Sequence, residues 1–251
     1  MTDRPGILIQ ARMGSNRFPG KVLQELNGKS ILGFLLERLS HLGNEFETVV
    51  CTTFKALDDP IVEEAKGRGL LVVRGSEEDV LGRMVKAVLL RRFGAIVRLP
   101  ADNPLIDPEL ISRMYQHFVE GDYDYIANFP DCGFPAGYLT EVVKSSVLLE
   151  SFALADKGYQ HEHVLPYVYE KAGRYRCSRY KRSEESVGIR LSLDSKEDLG
   201  VIRQTVRLCE EEGLELKLEN IEHLASRNPE VFLVNRNQSQ TTLEEVQSEV
   251  V

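Results

Sequence analysis

No apolar run in this 251-residue chain approaches the roughly 18 residues that a membrane-spanning helix needs. The opening MTDRP leads straight into a short strand-like segment and not into the charged-then-apolar pattern of a signal peptide, so an unanchored cytoplasmic protein is expected. Cysteine is sparse: Cys51, Cys132, Cys177 and Cys209 lie far apart with no C-x-x-C pair, which argues against both a zinc site and a disulfide framework. An excess of basic residues is also missing. With 31 Lys and Arg against 39 Asp and Glu, the net charge of −8 disfavours general affinity for nucleic acid or for an anionic membrane surface. A polyanionic ligand must therefore be met by a local cluster of cations. Two phosphate-binding signatures are absent as well. There is no G-x-G-x-x-G, and the one candidate for a P-loop fails because Gly14 and Gly20 enclose five residues and Val22, not Ser or Thr, follows Lys21. Dehydrogenase and P-loop kinase chemistry are disfavoured on those grounds, and no internal repeat suggests a solenoid.

What remains is ordinary globular composition, 42% hydrophobic and 28% charged, long enough for one domain with an excursion. Short apolar segments alternate with helical patterns. Strands are expected at residues 7–11, 47–53, 70–74 and 95–99, with helices beginning at Ser30, at the Asp59-Pro60 pair, near Glu77 and at the Asp107-Pro108 pair. Serine or aspartate before a helix can accept from its unpaired N–H groups, and proline suits the first helical position. This alternation predicts an α/β fold: a mostly parallel sheet covered by helices on both faces, with ligands at the carboxyl ends of the strands. The alternation lapses at residues 129–180, a Gly-, Pro- and Tyr-bearing stretch with helices at 146–155 and 161–171, expected as a substrate-side excursion from a domain spanning residues 1–234. Residues 174–180 and 187–193 read as an antiparallel pair, followed by a long helix from Ser195 to Gly213. Residues 235–251 form a polar tail, expected to be poorly ordered or docked on a partner subunit.

The loop after the first strand carries Arg12, Arg17 and Lys21 with no acidic residue between Ile7 and Gln24. A glycine-bearing loop at that position can surround a phosphate chain with backbone N–H groups and side-chain cations. Asp102 follows the fourth strand and Asp194 the last, so two carboxylates are expected at the same sheet edge, a donor set suited to Mg²⁺. Either aspartate could instead cap a loop or helix, and that simpler reading is preferred for Asp107. The His161-x-His163 pair is a weak metal signal, since neighbours two apart on a helix point in different directions.

Five motifs carry a family resemblance through most of the chain: QARMGSNRFPGKVL at 10–23, VRGSEEDVLGR at 73–83, IVRLPADNPLID at 96–107, HEHVLPY at 161–167 and RLSLDSKED at 190–198. The sequence resembles the SpsF-like cytidylyltransferases of spore coat polysaccharide biosynthesis and, more distantly, CMP-Kdo and CMP-sialic acid synthetases. The resemblance implies the nucleotide-diphospho-sugar transferase fold and transfer of CMP from CTP to a sugar-type hydroxyl, with Mg²⁺ as cofactor, pyrophosphate as leaving group and a homodimeric assembly. It implies that Arg12, Lys21 and Asp102 serve catalysis, that Asp102 and Asp194 hold the metal, and that Ala11, Gly14, Ser15, Arg17, Arg74, Gly75, Ser76 and Asp79 join them around the nucleotide. Arg83 is expected close by, either directly or as a surface pair with Asp79. Glu141, His161, Glu162 and His163 fall on the acceptor side. There the family's G-L-D-x-E-V pattern is Gly137-Tyr-Leu-Thr-Glu-Val142, so Leu139 replaces the usual aspartate. The competing reading from another class is a glycosyltransferase of the same α/β architecture using a nucleotide-sugar donor.

Overall fold

The structure, a computed structural model, describes residues 4–236. In chain order the elements are β1 (Gly6–Gln10), a two-strand ribbon of β2 (Glu25–Leu26) and β3 (Lys29–Ser30), α1 (Ile31–Ser40), β4 (Glu47–Thr53), α2 (Asp59–Gly67), β5 (Leu71–Gly75), α3 (Val80–Arg91), β6 (Ala95–Pro100) and α4 (Pro108–Glu120). There follow β7 (Tyr125–Ala127), β8 (Glu141–Lys144), α5 (Ser145–Leu154), α6 (Gly158–His163), α7 (Pro166–Glu170), β9 (Cys177–Arg179), α8 (Lys196–Glu212), α9 (Leu218–Arg227) and α10 (Pro229–Phe232). Seven strands form one sheet in the order β5-β4-β1-β6-β8-β7-β9. All its pairings are parallel except those of β8, which runs antiparallel to both neighbours. One apolar layer joins α1, α4, α8 and α9 to one face of the sheet, and a second joins α3, α5 and α7 to the other. This is the α/β architecture expected from the alternation, and the β4-β1-β6 pairing sets the ends of β1 and β6 side by side.

The caps follow the chemistry of their residues. Ser30 accepts from Gly33 N at 2.8 Å and Asp107 from Glu109 N at 2.9 Å, so Asp107 is a helix cap. Asp59 is the first residue of α2, with Asp58 in the cap position; the Asp58 carboxylate turns instead to Met13 N, at 2.7 Å, and to the Thr53 hydroxyl. At α8 the cap is Ser195, and Asp198 closes the box by accepting from Ser195 N at 2.9 Å. Asp194 is thereby released from a capping duty.

Three expectations need correction, all beyond residue 140. The expected helix at 161–171 is two short helices, broken where Val164 takes a positive φ of 77° just before Leu165 and Pro166. The expected antiparallel pair of residues 174–180 and 187–193 does not form: β9 pairs in parallel with β7, and the second segment makes one isolated bridge, Ala136 to Arg190. The strand β8 had no counterpart in the sequence reading. At the C-terminus, Asn235 is 1% exposed and bonded to Arg190 and Asp198, so the folded body reaches past residue 234; the remainder of the expected tail, from residue 237, lies outside the described residues.

Candidate active site

A cavity of about 400 Å³ opens at the carboxyl ends of β1 and β6. The chain leaves β1 at Gln10 and Ala11, whose N–H is tied to Cys51 O, and enters a tightly bonded loop in which both Ser15 N and Gly20 N donate to Met13 O at 2.9 Å. Gly20 has φ 70°, a left-handed conformation that costs glycine little, and it turns the chain inward immediately before Lys21. Phe18 buries its ring below this loop. The loop thus presents Arg12, Ser15, Asn16, Arg17 and Lys21 on one wall.

Lys21 is the electrostatic centre. Only 9% exposed, it donates to Asp102 Oδ2 at 2.6 Å, to Leu193 O at 2.8 Å and to Asp194 Oδ1 at 2.9 Å, which uses all three ammonium hydrogens. Burial pulls the Lys21 pKa down, but the two carboxylates outweigh it and the net shift is upward. Asp194 shows the mirror image: burial raises its pKa, while Lys21, Arg17 and Arg190 together hold it below the usual carboxylate value. Arg17 reaches Asp194 Oδ1 at 3.0 Å, and Arg190 grips Oδ2 at 2.5 Å from behind.

No regular strand carries Asp194 to this point. Leu191 N donates to Ala136 O at 2.7 Å and Leu193 N to Asp102 O at 2.8 Å, so the 190–194 segment is laid against the 134–138 turn and the loop after β6. Gly137 makes the close approach possible: a Cβ there would stand 2.4 Å from the Leu191 carbonyl carbon.

Opposite the first loop stand Val80 and Arg83 of α3 and Glu162 and His163 of α6. Arg12 spans the opening with long ion pairs to Glu77 at 3.6 Å and Glu162 at 3.9 Å, both half-exposed and weak enough to exchange for a stronger anion. Arg83 is 3% exposed and donates to Ser76 O and Glu77 O, so the expected surface pair with Asp79 is not formed. Gly75 leaves room for it, since a Cβ there would lie 2.6 Å from Arg83 Cγ. The two histidines separate as their spacing requires. His163 faces the cavity; His161 turns away, its Nδ1 2.9 Å from Asp79 Oδ1.

Of the residues singled out from the sequence, the fold brings Ala11, Arg12, Ser15, Arg17, Lys21, Arg83, Asp102, Glu162, His163 and Asp194 to the cavity wall. Others stand elsewhere. Asp79 caps α3 by accepting from Gly82 N at 2.8 Å and holds His161. Arg74 pins the chain after β4, donating to Thr53 O and Asp59 at 2.6 Å and to Lys55 O at 2.7 Å. Gly14, Gly75 and Ser76 are absent from the lining, where Gly14 sits against Glu77 and the other two frame Arg83. Glu141 stands in the interior: 3% exposed on β8, it pairs with Arg98 and accepts from the Tyr125 hydroxyl at 2.7 Å, and Arg98 in turn donates to Gln10 Oε1. Sequence reasoning missed Gln10, Asn16, Val22, Val80, Pro100 and Ala101 on the wall. All but Pro100 adjoin a residue it did find, and the lapse was to treat motifs as single residues.

Asp102 and Asp194 bracket one ammonium at the floor of a cation-lined cavity, and among the described residues no group of three metal-ligating side chains exists. That donor set suits Mg²⁺, which takes one or two carboxylates and fills its octahedron with phosphate oxygens and water.

The candidate site is thus a cavity at the strand ends of an α/β scaffold that combines a buried lysine, flanking arginines and paired aspartates. The chain belongs to the cytidylyltransferase family, whose model matches residues 7–242. It is 36% identical to the spore coat polysaccharide biosynthesis protein SpsF of Bacillus subtilis, over 89% of this chain and 94% of that protein. A cytidylyltransferase from Leptospira borgpetersenii superposes with a TM-score of 0.86 at 31% identity, covering 94% of this chain and 98% of that one. The structure of a CMP:2-keto-3-deoxy-manno-octonic acid synthetase complexed with CTP has a TM-score of 0.60 at 18% identity, covering 82% and 99%, and speaks for the shared fold alone.

Proposed function

We propose that the protein transfers CMP from CTP to a hydroxyl of a sugar or sugar acid, releasing pyrophosphate, as a Mg²⁺-dependent step of glycan synthesis in the cytoplasm. The observation that carries the reading is Lys21, held between Asp102 and Asp194 at the floor of a cavity whose walls carry Arg12, Arg17 and Arg83. Such a site offers what phosphoryl transfer demands: alignment, and fixed positive charge where charge builds on the leaving group. Arg12, Arg17 and Lys21 would take the β- and γ-phosphates, with Ser15 and backbone of the loop beside them. Asp102 and Asp194 would hold Mg²⁺, which when bound supplies charge neutralisation across the phosphate oxygens. Glu162 and His163, on the opposite wall, would orient the acceptor hydroxyl. A homodimer belongs to the same proposal, for which exposed Leu89 and Leu90 at the end of α3 offer apolar surface.

The test is pyrophosphate release with Mg²⁺ from each of four nucleoside triphosphates against a panel of sugar acids and amino sugars. CTP with one acceptor class should turn over. Release of a nucleoside diphosphate or monophosphate from a nucleotide sugar, with no pyrophosphate from any triphosphate, would instead select the glycosyltransferase reading.

A further inference from the structure

Asp194 has no strand or cap to hold it, yet its carboxylate must face the cavity at a fixed angle. The structure shows what stands behind it. Asp198 is fully buried, and its carboxylate accepts four hydrogen bonds: from Asp194 N at 2.8 Å and Ser195 N at 2.9 Å on Oδ2, and from Arg190 Nε at 3.1 Å and Asn235 Nδ2 at 2.7 Å on Oδ1. Four donors fill the acceptor capacity of a carboxylate, as burial requires. Arg190, 5% exposed, also donates from Nη2 to Asp194 Oδ2 while its Nη1 is buried without a hydrogen-bond partner, and its own carbonyl accepts from Asn235 Nδ2 at 3.1 Å. The amide of Asn235 therefore bonds two members of a closed ring that runs Asp194, Arg190, Asp198 and back to the Asp194 backbone.

We infer that Asn235 is a positioning residue for Asp194: a buried amide some forty residues beyond the site in sequence locks the Arg190–Asp198 pair and thereby sets the carboxylate that faces Lys21. Only an uncharged side chain with an N–H donor serves there. Aspartate would set a second anion against Asp198 Oδ1, and alanine would leave both Asp198 Oδ1 and the Arg190 carbonyl short of a donor inside a dry interior. Because Asp194 Oδ1 is turned to Lys21 and Arg17 while Oδ2 is held by Arg190, loosening Arg190 frees the carboxylate to rotate away from the cavity. The consequence for metal binding rests on the function proposed above; the positional consequence does not.

The experiment compares full-length wild type with Asn235→Ala and Asn235→Asp, using exposed Val234→Ala as the neighbouring control. Hydrogen exchange at the Asp194 and Ser195 amides reads the position directly, since both donate to Asp198. It should quicken at least tenfold in Asn235→Ala, more in Asn235→Asp and not in Val234→Ala. Mn²⁺ binding with CTP, followed by electron paramagnetic resonance, should weaken about tenfold in the same order, with the KM for CTP changed less than threefold. Wild-type exchange at both amides in a destabilised Asn235→Ala would overturn the inference and leave Asn235 as packing. Quickened exchange in a protein whose wild type binds no Mn²⁺ with CTP would keep the positional role and sink the metal reading instead.

Discussion

Two walls of one cavity are built in opposite ways. The first, from Gln10 to Val22, is a continuous piece of chain: a strand end, a loop folded on the Met13 carbonyl, and a glycine turn that delivers Lys21. The second is assembled from four separate stretches of chain, carrying Asp102, Asp194, the Glu162 and His163 of α6, and the Arg83 of α3, and the segment bearing Asp194 has no regular structure. A continuous wall can place cations by local geometry alone. A composite wall depends on buried polar networks for the same precision.

The largest expected effect falls where the walls meet. Asp102→Asn keeps size but deletes an anionic ligand, and kcat should fall by about 10³-fold or more with little recovery in excess Mg²⁺. Lys21→Ala and Arg12→Ala remove charge neutralisation from the continuous wall and should each lower kcat/KM by about 10²-fold or more. Lys21→Ala should also lose stability, because it leaves Asp102 and Asp194 facing each other without their shared cation. Steady-state pyrophosphate release checks all three. Near-normal turnover of Asp102→Asn in EDTA would remove the metal from the composite wall, while leaving the phosphate role of the loop untouched.

A second comparison separates two glutamates that the sequence places together on the acceptor side. Glu141→Gln leaves Arg98 without its anion in the sheet interior, a loss of about 3 kcal/mol. For a chain of this size that is a fall in Tm of roughly 6–12 °C, with KM for the acceptor close to wild type. Glu162→Gln changes a half-exposed side chain, so Tm should hold within about 0.5 kcal/mol of stability while the acceptor KM shifts. Calorimetry and acceptor titration decide it. An acceptor KM raised by Glu141→Gln at unchanged Tm would return that residue to the site.

The same contrast accounts for what could be read from the sequence. Strand β4 was placed to the residue, and β1, β5, β6 and the caps Ser30 and Asp107 were found, because strand alternation and capping are local properties of a few neighbouring residues; at α8 the cap is Ser195, one residue beyond the candidate Asp194. Lys21, Asp102 and Asp194 were brought together by topology, since the ends of parallel strands share an edge. Beyond residue 140 the determinants are non-local. Strand β8 exists through its antiparallel partners, β9 through β7, and the course of 190–194 through Ala136 and Asp102. None of those partners is within reach of a periodicity window. Glu141 and Arg74 stand outside the cavity lining for a related reason: a family motif marks a residue as needed without saying which face of the sheet or turn it occupies.

The smallest effect concerns Asp79, which the resemblance places at the nucleotide and the fold places at the helix end. Its Oδ1 accepts from Gly82 N at 2.8 Å and lies 2.9 Å from His161 Nδ1, so one oxygen both caps α3, which bears Arg83, and ties it to α6, which bears Glu162 and His163. The two contacts can be separated by substitution. Asp79→Ala loses both, and since a lost N-cap costs about 1 kcal/mol, Tm should fall roughly 2–4 °C. Asp79→Ser retains the cap but is too short to reach His161, and should fall less, because that contact is about one-third exposed and exposed pairs contribute little. In neither variant should KM for CTP change more than about threefold, as no nucleotide contact is removed. Thermal melts beside CTP titrations make the decision: a KM raised tenfold by Asp79→Ala at an unaltered Tm would give the residue to the nucleotide, and the α3–α6 tie would then be incidental to the composite wall.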